Sequence, residues 1–285
     1  MGRLVCLLVV VCLSVLVARS NGLRVASFNI KWLSMNKINN ATVLGILKKV
    51  LLRYDIVLVL EVRNPAAITA LVTELNRNAT ESPYTSVISK ALGRSSYKEE
   101  YAFIYRTKKV IVTSTLQFVD KEDVFEREPF GVVFYSPTTV VRSFMYIGMH
   151  LKPSDVPREL SHVVDVYDNF TATTHTQNAL LAGDLNADCH YLSRTALEHN
   201  RLFTDSRFRW LVDNEADTTV STHTDCAYDR FITAGQVMGA AIARRTVQVY
   251  DFQAELGLDF NTAWSVSDHY PIELVITDGE EIPVG

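Results

Sequence analysis

Cysteine is scarce, at four in 285 residues, and none stands at a zinc-type spacing, which excludes a structural zinc knuckle. Glycine-rich loops of the phosphate-binding or dinucleotide-binding kind are absent, so an enzyme built on such a loop is excluded as well. No internal repeat points to a solenoid, and no Pro/Gly/Ser-rich linker divides the chain. Basic residues do not exceed acidic ones: 28 Lys and Arg stand against 32 Asp and Glu, a formal charge of −4. Long apolar runs are missing too. Residues 4–17 form one, but it falls short of the roughly 20 residues a membrane-spanning helix requires.

What is present suits a single large core, since 48% of the residues are apolar and 21% charged, unlike a disordered chain. Residues 1–20 read as a secretory signal peptide: Arg3 precedes the apolar run, and Ala18-Arg19-Ser20 supplies small residues near a cleavage point. Its removal takes Arg3 and Arg19 and no acid, moving the formal charge from −4 to −6. Cys6 and Cys12 leave with it. Cys189 and Cys226 remain as a solitary pair, read as one disulfide in an oxidising compartment. Sequons at Asn40, Asn78 and Asn169 agree with an extracellular destination. Residues 21–277 then form one domain, and residues 278–285 a short acidic tail.

Residues 23–29 read as a strand ending in an amide, after which Asn40 caps a helix with Val43, Ile46, Leu47, Val50 and Leu51 at i, i+3, i+4 spacing. The unbroken run from Ile56 to Leu60 is expected of a central strand covered on both faces. A second helix is expected over residues 66–76. Strands follow at 101–105, 110–118, 130–135 and 144–149, and connections too short for crossover helices make them antiparallel. A longer helix over 156–169 precedes strands at 178–183, 228–233 and 270–276. The fold class is α/β: a four-layer sandwich of two packed mixed β-sheets flanked by helices.

Several apolar runs finish in residues that solubility does not require. Asn29, Glu61 and His150 close three of them, Asp184 and Asn186 stand at the mouth of a fourth, and Asp268-His269 precede a fifth. Strand alternation would put Asp184 and Asn186 on one face. Taken singly, each acid reads as a cap or surface charge, each histidine as a core imidazole and each asparagine as a turn residue; the repetition at strand ends argues for one site. Glu61, Asp184 and Asp268 can stay ionised together around a divalent cation, and an oxygen-only set favours magnesium or manganese. His150 and His269 suit proton exchange on either side of a phosphate, with Glu99 and Asp229 available to orient them. The amides of Asn29 and Asn186 can donate to a phosphoryl oxygen where another acid would repel it.

The segments Leu23-Arg-Val-Ala-Ser-Phe-Asn-Ile30, Glu61-Val-Arg-Asn64, Gly93-Arg-Ser-Ser-Tyr-Lys-Glu-Glu-Tyr101, Arg127-Glu-Pro129, Gly183-Asp-Leu-Asn-Ala-Asp-Cys189, Cys226-Ala-Tyr-Asp-Arg230 and Ser267-Asp-His-Tyr-Pro271 occur in this order. Together with His150 they resemble the secreted deoxyribonuclease I family of the endonuclease/exonuclease/phosphatase superfamily, over about residues 22–277. The resemblance implies metal-dependent hydrolysis of DNA phosphodiesters with low sequence specificity, leaving 5′-phosphate and 3′-hydroxyl ends. It implies His269, oriented by Asp229, as the activator of water, and His150, paired with Glu99, as the acid for the leaving oxygen, although the two roles are interchangeable by sequence. Glu61 would hold the metal, Asp184 and Asp268 would position metal or catalytic groups, and Asn29 and Asn186 would steady the phosphoryl group. Arg63, Tyr97, Arg127 and Tyr228 match DNA-side positions. A calcium ion at residues 217–226, a monomeric state and actin as a partner also come from the resemblance alone.

Departures from the family pattern bear on catalytic strength. Leu60 replaces a glutamine, Asn64 an aspartate and Lys31 an arginine of pancreatic-type members; the second small disulfide is missing from residues 121–126, leaving that loop less restrained; and the calcium-type segment is one residue longer. Neither a basic tail nor a hydrophobic anchor tail follows the domain, so stable membrane association is not expected. Two competing readings are a phospholipid or phosphoinositide phosphodiesterase of the same superfamily and an inactive secreted binding protein. The first has no need of Arg63, Tyr97 and Arg127, and the second no need of both histidines and Glu61.

Overall fold

Two six-stranded sheets carry the fold in the computed structural model, which describes residues 22–77 and 81–279. The expected signal peptide, the sequon at Asn78 and residues 280–285 of the expected tail lie outside the described residues. In chain order the strands are β1 (Gly22–Leu33), β2 (Ile56–Val62), β3 (Tyr84–Ile88), β4 (Glu100–Arg106), β5 (Ile111–Gln117), β6 (Phe130–Tyr135), β7 (Ser143–His150), β8 (Ala179–Asp184), β9 (Phe208–Trp210), β10 (Asp229–Ala234), β11 (Gln248–Val249) and β12 (Ile272–Thr277). The helices are α1 (Met35–Asn39), α2 (Ala41–Leu51), α3 (Pro65–Asn76), α4 (Val156–Thr174), the short α5 (Arg194–Glu198), α6 (Arg201–Thr204), α7 (Gln236–Ala241) and α8 (Phe252–Glu255), and α9 (Phe260–Val266). One sheet runs β11-β12-β1-β2-β4-β3 and the other β5-β6-β7-β8-β10-β9. Each contains one parallel pair, β1 with β2 and β7 with β8, and each such pair is joined through a helical crossover, as parallel strands require.

The two-residue period of the strands explains the layers. Along β2, Ile56, Leu58 and Leu60 enter the core between the sheets, while Val57, Val59 and Val62 face the helices α1–α3. Along β8, Leu180 and Ala182 face the other sheet, and Ala179 and Leu181 face the layer containing α4. Both strands are covered on two sides, so apolar side chains occupy both faces. The four layers expected from sequence are therefore present. Leu60 is fully buried between the sheets, where a polar side chain would need its own hydrogen-bond partner.

Helix starts follow their caps. Asn40 Oδ1 accepts from the Thr42 and Val43 N–H groups, and Asn64 Oδ1 from Ala66 N–H with Pro65 in the first turn. Some boundaries differ from the sequence expectation. The long helix continues past residue 169 to Thr174, where His175 ends it in a left-handed conformation. Asp184 is the last residue of β8, and Asn186 has left the strand at φ 49°, so simple alternation does not relate the two. β3, β9 and β11 carry no clear pattern: in β3 only Tyr84 is buried, and the other two span three and two residues. Residues 121–126 are held without a disulfide, through buried Val124 and Phe125 and a 2.7 Å hydrogen bond from Phe125 N–H to Asp120 Oδ2.

Gly183 and Gly148 mark two close approaches. Gly183 has φ 144°, and a Cβ there would lie 1.8 Å from the Met149 carbonyl oxygen on the neighbouring strand, whereas a Cβ at Gly148 would lie 2.7 Å from Leu58 Cδ1 across the core. Leu58 can change rotamer; the Met149 carbonyl cannot move without opening the β7–β8 ladder. Gly148→Ala is expected to lower stability by about 1–3 kcal/mol and Gly183→Ala by more than about 3 kcal/mol, as measured by urea unfolding of the two variants.

Candidate active site

The alternation that builds the core also aims the polar residues. Asn29, His150, Asp184 and Asp229 continue the core-facing rows of β1, β7, β8 and β10, and Glu99 continues that of β4. All five stand at one end of the sandwich, where the apolar rows run out. Within one sheet His150, Asp184 and Asp229 are register partners on adjacent strands. Glu61 belongs to the opposite row of β2 and reaches the same place by a different device. Asn29 pairs with Leu60 and Leu33 with Val62, so three residues of β1 stand opposite Glu61 alone. Lys31, Trp32 and Glu61 all have positive φ at this bulge, which re-aims the Glu61 carboxylate.

Asp184 is the centre of the cluster. Its Oδ2 lies 3.6 Å from His150 Nε2 and 3.5 Å from His269 Nε2, and accepts a 3.2 Å hydrogen bond from Asn29 Nδ2. The same amide donates to Glu61 Oε1 at 2.9 Å. Each imidazole has a second carboxylate behind it: His150 Nδ1 meets Glu99 Oε2 at 3.0 Å, and His269 Nδ1 meets Asp229 Oδ2 at 2.7 Å. Burial opposes the charged form of Glu99, but the hydrogen bond and charge of His150, with Arg127 and Tyr97 behind them, hold its carboxyl at about 2. Burial likewise opposes a charged His269. Asp229 and Asp184 outweigh it, so this imidazole binds its proton more tightly than a free histidine, up to about 10.

The other expected residues divide. Arg63 and Tyr97 come together, the guanidinium carbon 3.5 Å from the ring centroid. Arg127 turns inward instead: Nε donates to the His150 carbonyl at 3.0 Å and lies 3.5 Å from Glu99 Oε2, so it braces the histidine pair. Tyr228 packs on Tyr191 at 5.3 Å and lies 6.4 Å from the His269 ring. Asn186 directs Nδ2 to the Leu151 carbonyl at 3.1 Å, while its own N–H caps Asp184 Oδ1. Asp268 Oδ2 lies 3.5 Å from Lys31 Nζ, and Oδ1 is buried without a partner. Among the described residues the acids and imidazole whose ligand atoms lie within 4.8 Å of one another are Glu61, Glu99 and His150.

Residues without a role in the sequence reading complete the site. The buried Ser267 hydroxyl donates to the Asn29 carbonyl at 2.6 Å and accepts from His269 N–H at 3.0 Å, tying the two ends of the chain together. Thr218 Oγ1 accepts from the N–H groups of Tyr228 and Asp229, and the Tyr101 hydroxyl from His150 N–H. The serine of Ser-Asp-His was visible as a motif; a lone threonine or tyrosine gives no such signal. The Cys189–Cys226 disulfide closes the loop behind Asn186, with Asp188 Oδ2 accepting from Ala227 N–H beside it. A cleft of ≈ 310 Å³ opens at this end, lined by His269, Asp268, Asn186, Tyr228 and Trp264. A larger one, ≈ 630 Å³, lies at the opposite end of β10, contains no histidine, and has its Asp168 paired with Arg207.

The model of the endonuclease/exonuclease/phosphatase family matches residues 26–269, a span that begins in β1 and ends on His269. Deoxyribonuclease-1 of Ovis aries is 39% identical over 262 residues, covering 90% of this chain and 100% of that protein. Deoxyribonuclease gamma of Mus musculus is 38% identical over 258 residues, covering 88% and 83%. The chain belongs to the deoxyribonuclease I family. The solved catalytic domain of human Nocturnin with bound sulfate superposes with a TM-score of 0.62 at 14% identity, over 90% of this chain and 95% of that one, and shows the shared fold.

This deoxyribonuclease I family member therefore holds two imidazole–carboxylate pairs on a common anion. Replacing Asp229 by Asn removes the largest charge that favours the His269 imidazolium. In metal-free buffer the variant is expected to titrate His269 lower than the parent by more than about one pH unit, read from its imidazole resonances by NMR; an unchanged titration would contradict the pairing.

Proposed function

We propose that this protein is a secreted, divalent-metal-dependent endonuclease that hydrolyses DNA phosphodiesters with little sequence preference, leaving 5′-phosphate and 3′-hydroxyl ends. The observation that carries the reading is the presentation of both Nε2 atoms to the same Asp184 oxygen. A single phosphate brought to that point has an imidazole on each side. His269, oriented by Asp229, takes the proton of the attacking water; His150, oriented by Glu99, gives a proton to the departing 3′-oxygen. Asn29 Nδ2 donates to two carboxylates, and in the proposed mechanism one of these N–H groups turns to a phosphoryl oxygen as charge develops.

The donor set fits a divalent cation. Glu61 is the residue best placed to hold it, with Glu99 and His150 in ligand range, and oxygen-rich ligation favours magnesium or manganese. Bound there, the ion supplies positive charge to the phosphoryl oxygens. Such charge also offsets Asp184, which otherwise helps keep His269 protonated and unfit to act as a base. Calcium at residues 217–226 would meet Asp217, whose Oδ1 accepts from the Thr219 N–H and hydroxyl. Secretion rests on the leader and the solitary disulfide, and the Asn40 and Asn169 side chains are glycan candidates on the described surface. A monomer suits a site completed by one chain, and actin enters as a partner by family membership alone. Among the described residues no helix is long and apolar enough to cross a membrane.

Arg63 and Tyr97 form the proposed groove-reading pair, the guanidinium carbon 3.5 Å from the ring centroid and Nη1 buried without a partner; such contacts sense groove shape more than base identity. Purified protein with magnesium is expected to nick supercoiled plasmid, and a chelator to abolish nicking. His150→Ala and His269→Ala should each lower the rate about 10²–10⁴-fold with circular dichroism unchanged. Hydrolysis of a phosphodiester lipid in place of DNA would support the competing phosphodiesterase instead.

A further inference from the structure

The β1–β2 bulge exposes an indole that this hydrolytic chemistry does not use. Trp32 is 59% exposed at φ 54°, immediately after Lys31 at φ 41°, a backbone region that bulky side chains avoid. The surroundings hold it there. Its backbone N–H donates to Glu61 Oε2 at 3.0 Å, and the Lys37 ammonium donates to the carbonyls of Ile30, Lys31 and Val266 at 2.8, 2.6 and 2.7 Å. That ammonium pins the bulge to the end of α9, which carries Trp264. Lys31 Nζ lies 3.8 Å over the Trp264 ring and 6.0 Å from the Trp32 centroid, and Phe260 packs 5.5 Å from Trp264.

Between the two indoles runs a groove of ≈ 420 Å³ whose walls include Ser34 and Asn36. Trp264 also borders the cleft containing His269, so groove and cleft adjoin. Resting on the nuclease reading, we propose that this groove receives an unpaired nucleobase of the DNA strand beside the scissile phosphate, stacked on Trp32, with Lys31 meeting the adjoining backbone. An exposed ring face is complementary to another bare face. In a paired duplex the faces are covered by neighbouring base pairs and only edges and backbone reach the protein, so the platform selects single strands, loops or frayed ends. Polar walls, with Asp268 and Glu61 close by, suit hydrogen bonding to a base edge and oppose an anionic lipid surface. Trp264, with Lys31 over it and Phe260 beside it, is the positioning member.

The test reads binding without hydrolysis. The protein as secreted and its deglycosylated form are both used, because Asn40 also lines the groove. Tryptophan emission, to which Trp32 and Trp264 contribute two of the three indoles, is titrated in chelator with a single-stranded hexanucleotide, with the duplex of the same sequence and with phosphatidylserine vesicles. The single strand should quench strongly and the other two weakly. Trp32→Ala should weaken single-strand binding about 5–100-fold, the equivalent of one lost stack, and Trp32→Phe by less than about threefold. With magnesium restored, Trp32→Ala should lower the ratio of single-strand to duplex cleavage by the same factor, and Trp32→Phe should restore it. Equal quenching by duplex, a response to vesicles alone, or an unchanged cleavage ratio would overturn the proposal. A parent protein that binds the hexanucleotide but cleaves no DNA would instead defeat the nuclease reading.

Discussion

A buried carboxylate shared by two imidazoles is the constraint on which this molecule turns. Asp184 is almost inaccessible to solvent, and an anion removed from water is costly unless charge and hydrogen bonds surround it. His150 from the same sheet, His269 from the chain end and the Asn29 amide from the opposite sheet meet that need together. The cluster is thus a structural joint as well as a candidate reaction centre. It lies where apolar packing stops and charge must hold the sheets in register.

Glu99 and Asp229 extend the same logic one step outward. Each is buried, each meets an imidazole Nδ1, and each thereby leaves Nε2 facing Asp184. Behind them the supports are backbone-directed: Ser267 links Asn29 to His269, Thr218 receives the amides that precede Asp229, and Arg127 grips the His150 carbonyl. Local strain gathers here too. Among the described residues seven non-glycine positions have positive φ, and Lys31, Trp32, Glu61, Asn186 and Cys189 are five of them. Such conformations persist only where the surroundings enforce them, and here the enforcing groups are the acids and amides of the cluster.

Much of this was legible because one rule, the two-residue period of a strand, both buries the core and aims its ends. Runs such as Ile56 to Leu60 and Leu180 to Ala182 announced central strands, and Asp184, at the end of the second, sits on the core-facing row that the period dictates. Glu61 and Asn186 broke the rule, because a bulge and a left-handed turn intervene, and periodicity carries no mark of either. Arg127 was named through the family resemblance as a DNA-side position, and its contacts with Glu99 and the His150 carbonyl, made by residues distant in sequence, carry no mark in the pattern. β3 was silent because a half-exposed five-residue strand has no apolar stripe, and the indole pair was silent because Trp32 and Trp264 are far apart in sequence and meet only through Lys31 and Lys37.

The charge balance links the nuclease reading to the stacking groove. A chain with more acids than bases needs local means to hold a polyanion, yet cations near the cleft are few and partly engaged. Arg127 serves Glu99 and His150, and Lys37 gives its three donors to carbonyls, which leaves Lys31, 3.5 Å from Asp268, as the ammonium at the groove. Arg63 lies against Tyr97, with its unpartnered Nη1 buried. On the proposed mechanism, attraction to the backbone leans on a metal ion at the carboxylates, and flat surfaces gain weight relative to charge. An exposed indole held at the rim of such a site, against the preference of its own backbone, is what that balance calls for.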